Sequence, residues 1–304
     1  MSTALRVSAA TLATAALLSC GGGGSGNMGG TGAPAGPSYG FAPDGGARQS
    51  GGVGPVELVV GATTYMFVGG SATSNGQVLS STDGLTFTPV AATLDGGPLV
   101  SGASSFVALP GGSFRMYYFA PPSLHSATSS DGLTWTSEAG TRIVLNPIAT
   151  PKVTTLPAGG YRVYYTTSGG PTGIASAIST DGLTFSLEPG MRLSPTADYM
   201  WGDPNVVFDG GTYLMSATQA PASGGQLTQG YSSIWLASSP DGLAWTLGAG
   251  PVVTNASGSP VDSSFVALGS GVFRVYYGLF LGGSAVPPPG TASEILSGVL
   301  TPTM

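Results

Sequence analysis

One short phrase, Ser-x-Asp-Gly-Leu-x-aromatic, recurs four times and constrains this chain more than any other feature. The copies are Ser81 to Phe87, Ser129 to Trp135, Ser179 to Phe185 and Ser239 to Trp245. An Asp-Gly pair between two apolar runs is a strong hairpin signal. The carboxylate accepts from nearby backbone N–H groups, and glycine supplies the positive φ of the turn. The Leu and the aromatic stand two residues apart, on one face of an outgoing strand. Each copy therefore predicts a tight turn entering a strand that needs a surface to pack against. Asp83, Asp131, Asp181 and Asp241 lie about fifty residues apart, which is a repeat period.

Other pieces recur with the same period. An aromatic-rich strand has five versions, around Tyr65, Tyr117, Tyr164, Leu214 and Tyr276. A strand ahead of the turn also has five, near Val78, Ser126, Ile174, Ile234 and Ile295. A short apolar strand upstream centres on Leu58, Phe106, Val153, Val206 and Phe265. The unit reads as strands A, B (aromatic) and C, the Asp-Gly turn, and strand D. Four antiparallel strands in tandem copies predict an all-β fold, a five-bladed β-propeller of four-stranded antiparallel blades over residues 51–304. The fifth unit has no strand D of its own. Either residues near Tyr39 to Ser50 fill that place and close the ring, or the last blade is three-stranded.

Residues 1–19 read as a signal peptide, with Arg6 before a small apolar run too short to span a bilayer. Residues 20–50 form a tether that is uncharged and rich in Gly, Ser, Ala and Pro up to Ser38. Composition narrows the rest. Charged residues are 7% of the chain against 41% hydrophobic ones, with 51 Gly and 24 Pro, which suits turn-rich β structure. Eight Lys and Arg against fourteen Asp and Glu leave no basic stripe for nucleic acid. Cys20 is the single cysteine, so no intramolecular disulfide forms. A lone histidine, His125, cannot build a metal site. No phosphate loop or nucleophile elbow is present, and no cofactor or metal is expected.

The Ser-x-Asp-Gly-x-x-Phe/Trp turns together with the Tyr-Arg-x-Tyr-Tyr strands resemble the five-bladed propellers of glycoside hydrolases. The arabinanase, β-xylosidase and fructosidase families (43, 62 and 32) are the nearest in kind. The turns also look like the Asp-box of sialidases, which has an extra residue between Asp and Gly. Leu17-Leu18-Ser19-Cys20 resembles the lipobox of bacterial lipoproteins, in which the cysteine is lipidated. That likeness implies export and anchoring through Cys20 to the outer membrane or cell surface of a bacterium, and the alternative is an ordinary secretory signal. A monomer is expected.

In an A-B-C-D blade the Asp-Gly turns share one face of the disc, so the four turn aspartates are structural and a site belongs on the other face. The resembled hydrolases carry an Asp base, a second Asp and a Glu acid near the starts of successive A strands. The first three blades here offer Gly54-Pro55, Ala103 and Thr150-Pro151-Lys152, with no carboxylate at the matching place. The fourth has Asp203-Pro204-Asn205-Val206, like the family's pattern around its base, and the fifth has Asp262. Taken in rotated order, blades four, five and one present Asp203, Asp262 and Glu57, the carboxylates that glycoside hydrolysis needs. The plainer reading is that the two aspartates cap strand ends or bind each other's blade.

Tyr199, Trp201 and Tyr231, expected in links and loops of that face, suit stacking on sugar rings. Their plainer role is burial between blades. His125 is a candidate polar contact, or a satisfied rim histidine. Arg142 and Arg192, in matching links, could clamp a carboxylate as a sialidase-like site would. Two functions follow. One is a lipid-anchored propeller that binds a glycan or oligosaccharide and either hydrolyses it or has kept only the binding. The other is a non-catalytic scaffold for protein–protein interaction at the envelope. A separation of about 6.5–9.5 Å between Asp203 and Asp262 would mark an inverting hydrolase.

Overall fold

The computed structural model describes residues 36–303 apart from 70–75, 100–102, 147–148, 169, 225, 229 and 283–290. The signal segment, Cys20 and most of the tether lie outside the described residues, which contain no helix.

Alternation of apolar and small polar residues builds five small antiparallel sheets, taken here in chain order. The first runs Val53–Val60, Thr63–Gly69, Gln77–Ser81, Thr88–Pro89. The second is built on Ala103–Ala108, Phe114–Ala120, Ser123–Ser129 and Thr134–Ser137, extended by the small hairpin Thr93–Leu94/Gly97–Pro98 and by Ile143–Val144. The third is Lys152–Thr155, Tyr161–Thr166, Ile174–Ser179 and Ser186–Leu187. The fourth is Tyr199–Asp209, Thr212–Ser223, Ser233–Ser239 and Thr246–Leu247, and Gln226–Leu227 folds back on its second strand. The fifth is Gly258–Gly269, Val272–Leu281 and Ser293–Pro302. The innermost strand of each sheet touches that of the next, and the last touches the first, so the sheets close a propeller ring. The core is divided among the gaps between sheets. Phe67 and Trp135 fill the first gap, Tyr117 and Phe185 the second, and Tyr164 and Met215 the third.

Strand Tyr39–Pro43 pairs antiparallel with Ser293–Pro302, Tyr39 opposite Pro302, and so occupies the outer place of the fifth sheet. The side chains around it repeat those of the other sheets. In the second and third sheets an arginine of strand B forms a two-pronged pair with a glutamate just after strand D. Arg115 meets Glu138 at 2.7 and 2.9 Å, and Arg162 meets Glu188 at 2.8 and 3.0 Å. Ser126 and Ser176 donate to the same glutamates. In the fifth sheet Arg274 pairs with Asp44 at 3.3 Å, and Ser297 donates to Asp44 at 2.7 Å. The N-terminal strand thus brings the carboxylate that the outer strand supplies elsewhere.

The Asp-Gly segments are longer loops than tight two-residue turns. In the first sheet strand C ends at Ser81 and the outer strand starts only at Thr88. Side chains take the place of ladder bonds: Asp83 Oδ1 accepts from the Leu85 and Thr86 N–H groups, and Ser81 Oγ accepts from Gly84 N–H. The other three copies repeat this, with glycine φ of 80, 73 and 73°. Three of the four loops are also held from outside. Arg115 Nη1 and Tyr117 Oη donate to the carbonyls of Asp181 and Gly182 in the next sheet, at 3.1 and 3.0 Å. Arg162 and Tyr164 hold Asp241 and Gly242 in the same way, and Arg274 and Tyr276 of the last sheet hold Asp83 and Gly84 of the first.

Gly182 therefore has no room for a side chain. A Cβ there would lie 2.5 Å from Tyr117 Oη and 2.7 Å from Arg115 Nη1, at a φ of +73° that L residues avoid. Gly170 has nothing within 4 Å. Gly182→Val is expected to lose at least about 1–3 kcal/mol through backbone strain alone. Gly170→Val should stay near the parent. Urea unfolding midpoints of the two variants check this, and equal midpoints would refute the assigned role of the turn glycine.

Candidate ligand-binding pit

Four inner strands carry a β-bulge at the same place. The register shifts between Val53 and Val56, between Ala103 and Ser105, between Gly202 and Asn205, and between Val261 and Ser264. At these bulges Gly54, Asp203 and Asp262 adopt φ of 62, 51 and 51°. A bulge re-aims the side chain it carries, and positive φ in a non-glycine residue concentrates at functional sites. In the third sheet Thr150 has φ of 38° just ahead of its inner strand. The chain is held there: Thr150 and Thr166 share a hydroxyl hydrogen bond of 2.6 Å, and Thr166 Oγ1 accepts from Asp203 N–H at 3.2 Å.

The bulges bring Asp203 and Asp262 close enough for the charge of one carboxyl to act on the other. Burial first, and then the charge of Asp203, holds Asp262 well above the usual carboxylate range, with Lys152 opposing the shift. An interaction across two sheets is what the plainer expectation, that each aspartate binds the other's blade, describes. Gly54 completes the arrangement from the first sheet: a Cβ on it would lie 3.8 Å from Asp262 Oδ2, so the missing side chain leaves space beside the pair.

Along the axis beyond the pair lies a cavity of about 360 Å³, lined among others by Glu57, Ser105, Lys152, Asn205 and Ser264. Glu57 Oε2 accepts a hydrogen bond from Ser264 Oγ, and Glu57 Oε1 is buried with no hydrogen-bond partner. Burial raises the Glu57 carboxyl from 4.5 to about 7, against the opposing effects of Ser264 and Lys152. Lys152, the one lysine of the chain, is 8% exposed. Asp262, Glu57 and Asp203 are the charges acting on it, and burial still lowers its pKa. Sequence reasoning looked at that position for a carboxylate and passed over the residue that was there. Its signal was visible: a solitary lysine beside Pro151, in the repeat place of Asn205 beside Pro204. Among the described residues no group of three or more His, Cys, Asp and Glu side chains is placed to hold a metal ion.

The remaining candidates do not join the pair. Arg142 donates to the carbonyls of Ala139 and Gly140, and Arg192 to those of Pro189, Gly190 and Leu243. Arg48 does the same with Gly45, Gly46 and Leu85. These three buried arginines brace the chain after each outer strand, so the carboxylate clamp expected of Arg142 and Arg192 is not formed. Tyr199 and Trp201 belong to the long inner strand Tyr199–Asp209, not to a link. Trp201 is 2% exposed and packs edge-on against Tyr199 and Trp235, which leaves no ring face free for a sugar. Tyr231 is 45% exposed. His125 is half-buried and stacks on Tyr118, with centroids 5.5 Å apart.

No family model and no curated protein matches the sequence. Solved structures do. A thermostable family-43 glycoside hydrolase superposes with a TM-score of 0.65 at 16% identity, covering 84% of this chain and 91% of that one. An endo-1,4-β-xylanase from Bacteroides thetaiotaomicron gives 0.63 at 13%, over 85% and 96% of the chains. An α-L-arabinofuranosidase from Lactobacillus brevis gives 0.59 at 12%, over 82% and 91%. At such identity the likeness shows the fold, a β-propeller of the kind seen in glycoside hydrolases.

The pit makes stability depend on pH in a particular direction. Glu57 and Asp262 hold protons more tightly folded than unfolded, so stability falls as pH rises from about 4.5 to about 7. The turn carboxylates act oppositely. Backbone N–H groups of Thr134 and Leu133 lower Asp131 to about 2, and Asp83, Asp181 and Asp241 are lowered likewise, so their contribution is lost as pH falls below 3.8. Melting temperature is expected to peak between these limits and to drop by several degrees from pH 5 to pH 7.5. Glu57→Gln should flatten that drop in calorimetric scans, and an unchanged slope would show that Glu57 does not titrate there.

Proposed function

We propose that this propeller recognises a glycan in the pit formed by Asp203 and Asp262. The observation that carries the reading is the pair of carboxyl groups brought together by matching bulges of two neighbouring sheets. Carboxyl oxygens accept from sugar hydroxyls, and a protonated carboxyl can also donate to them. The bulges hold the pair at strained backbone positions, and Gly54 leaves the adjoining space open. Similar folds include proteins described as a xylanase and an arabinofuranosidase, which favours pentose-containing glycans as the first to test. The five sheets are read as the five blades of such a propeller, and Tyr231 as the aromatic that borders the ligand.

Hydrolysis is a second reading, favoured by the raised Glu57 carboxyl. Asp203 would be the base, Asp262 would orient it and Glu57 would be the acid. Catalysis would need Glu57, from a third sheet, as the partner of Asp203, and binding, which needs no such partner, is the better-supported function. The localisation reading keeps Cys20 as a lipidated anchor to the bacterial envelope, with residues 20–50 as a tether that also carries the ring-closing strand Tyr39–Pro43 and 51–304 as the rest of the propeller. A few acyl chains give stable anchoring at about 0.8 kcal/mol per buried methylene.

A glycan array and a panel of arabinosides, xylosides and fructosides test both readings. Asp203→Asn is expected to weaken glycan binding at least tenfold with little change in melting temperature. If the parent turns over a glycoside, the same variant should lose about 10²–10⁴-fold in rate, and the hydrolase reading replaces the binding one. A parent that retains no glycan and cleaves none returns the protein to the scaffold alternative. Independently, Cys20→Ser should move the protein from the membrane to the soluble fraction, and its retention after a carbonate wash would rule out Cys20 as the anchor.

A further inference from the structure

The N-terminal segment joins the ring at one face. In the first four sheets the third strand ends at the serine that opens the Asp-Gly loop, at Ser81, Ser129, Ser179 and Ser239. The corresponding strand of the fifth sheet, Ser293–Pro302, ends beside the N-terminal segment. Tyr39 lies opposite Pro302, and Thr303 N–H donates to the Ser38 carbonyl at 3.0 Å. A Cβ on Gly36 would meet the Leu247 carbonyl, just past the fourth Asp-Gly loop. Residues 36–39 therefore sit at the Asp-Gly face. The pit is at the other end of the strands. Asp262 lies in the first half of the inner strand Gly258–Gly269, where Ser259 pairs with Phe280 and Phe280 with Ser293, the first residue of the third strand. The ten residues of Ser293–Pro302 thus measure the depth of the ring from the pit side to the point of entry, about 30 Å.

Sixteen peptide steps join Cys20 to Gly36. Such a chain reaches at most about 53–58 Å fully extended, and a Gly-rich one averages about 20–24 Å end to end. That average is less than the depth of the ring, so an anchor at Cys20 draws the Asp-Gly face towards the membrane and leaves the pit beyond it. Charge does not reverse this. Among the described residues no Lys or Arg is exposed to hold the pit side against acidic headgroups. Asp83, Asp131, Asp181, Asp209 and Asp241 are exposed on the Asp-Gly side, and their charge keeps the ring standing off an anionic surface. We propose that the ring is held with its Asp-Gly face towards the membrane and its pit towards the medium, so that the pit meets glycans arriving from outside and not the headgroup sugars of its own membrane. The inference rests on Cys20 as the anchor and on the pit as the binding site.

The test uses the chain from Cys20 to Met304 with its single cysteine coupled to a maleimide-bearing lipid in vesicles, so that attachment does not depend on processing in a cell. A fluorophore is placed through a ketone-bearing amino acid at Ala256 or at Leu268, exposed positions before and at the far end of the fifth inner strand. The two lie about 40 Å apart along the strand, so energy transfer to acceptor-labelled headgroups is expected to be at least about twofold more efficient from Leu268 than from Ala256. Equal transfer, or more from Ala256, overturns the proposal. Should a labelled chain fail to fold, the unlabelled one gives the same comparison. Gadolinium-bearing headgroups should broaden the methyl signals of Leu268 more than that of Ala256, and equal or reversed broadening overturns the proposal. The anchor fails separately: a Cys20→Ser chain that stays with the cell membrane removes it, and the proposal with it, whatever the vesicles show. Loss of glycan binding alone leaves the orientation standing and removes only its consequence for the ligand.

Discussion

Three of the joints between sheets of this ring are held by an arginine and a tyrosine reaching for the carbonyls of an Asp-Gly loop. The residues stand two apart on one strand, so both point the same way across the gap. The tyrosine hydroxyls are buried and must find acceptors, and the loop carbonyls are the acceptors provided. The arginines are pinned from behind by carboxylates, and breaking such a buried pair costs about 3–5 kcal/mol. The loop is therefore more than a connection. Its Ser and Asp side chains satisfy its own N–H groups, which frees its carbonyls to join the sheets.

The same arrangement explains how the ring closes. The last sheet begins and ends without an outer strand of its own, and residues from the other end of the chain fill the gap with the same chemistry. Asp44, Gly46 and Arg48 stand where Glu138, Gly140 and Arg142 stand in the second sheet, and where Glu188, Gly190 and Arg192 stand in the third. Gly46, Gly140 and Gly190 have φ of 74, 87 and 80°, which lets the arginine fold back onto the carbonyls just before it. Closure by matched side chains fixes where each inner strand lies, and so fixes the pit. The strained aspartates at the bulges persist because the ring around them over-determines their position.

Much of the fold was legible because it is written in local terms. Glycine in a turn, alternation in a strand and a repeat of the whole unit are properties of neighbouring residues. They led from the four Asp-Gly phrases to a propeller of small antiparallel sheets, and the notion that the turn aspartates are structural follows from the same local chemistry. Asp203 and Asp262 could be singled out because each opens its repeat with a carboxylate. What local reasoning misjudged was direction. Arg142 and Arg192 read as exposed clamps, but their long side chains turn back to backbone carbonyls. Trp201 read as a sugar platform, but the strand is longer than it looked and carries the ring into the gap between sheets.

The sequence by itself determined the repeat, the strands, the turns and the identity of the residues that open each inner strand. Only the tertiary structure decided what those residues do to one another. Glu57, Lys152, Asp203 and Asp262 are spread over more than two hundred positions, and no spacing relates them. They meet because five sheets place their inner strands around one axis, in a medium too poor in water to let every charge stand. Whether a carboxyl there is ionised depends on its neighbours in space, and Asp203 and Asp262 become neighbours only once the ring is shut.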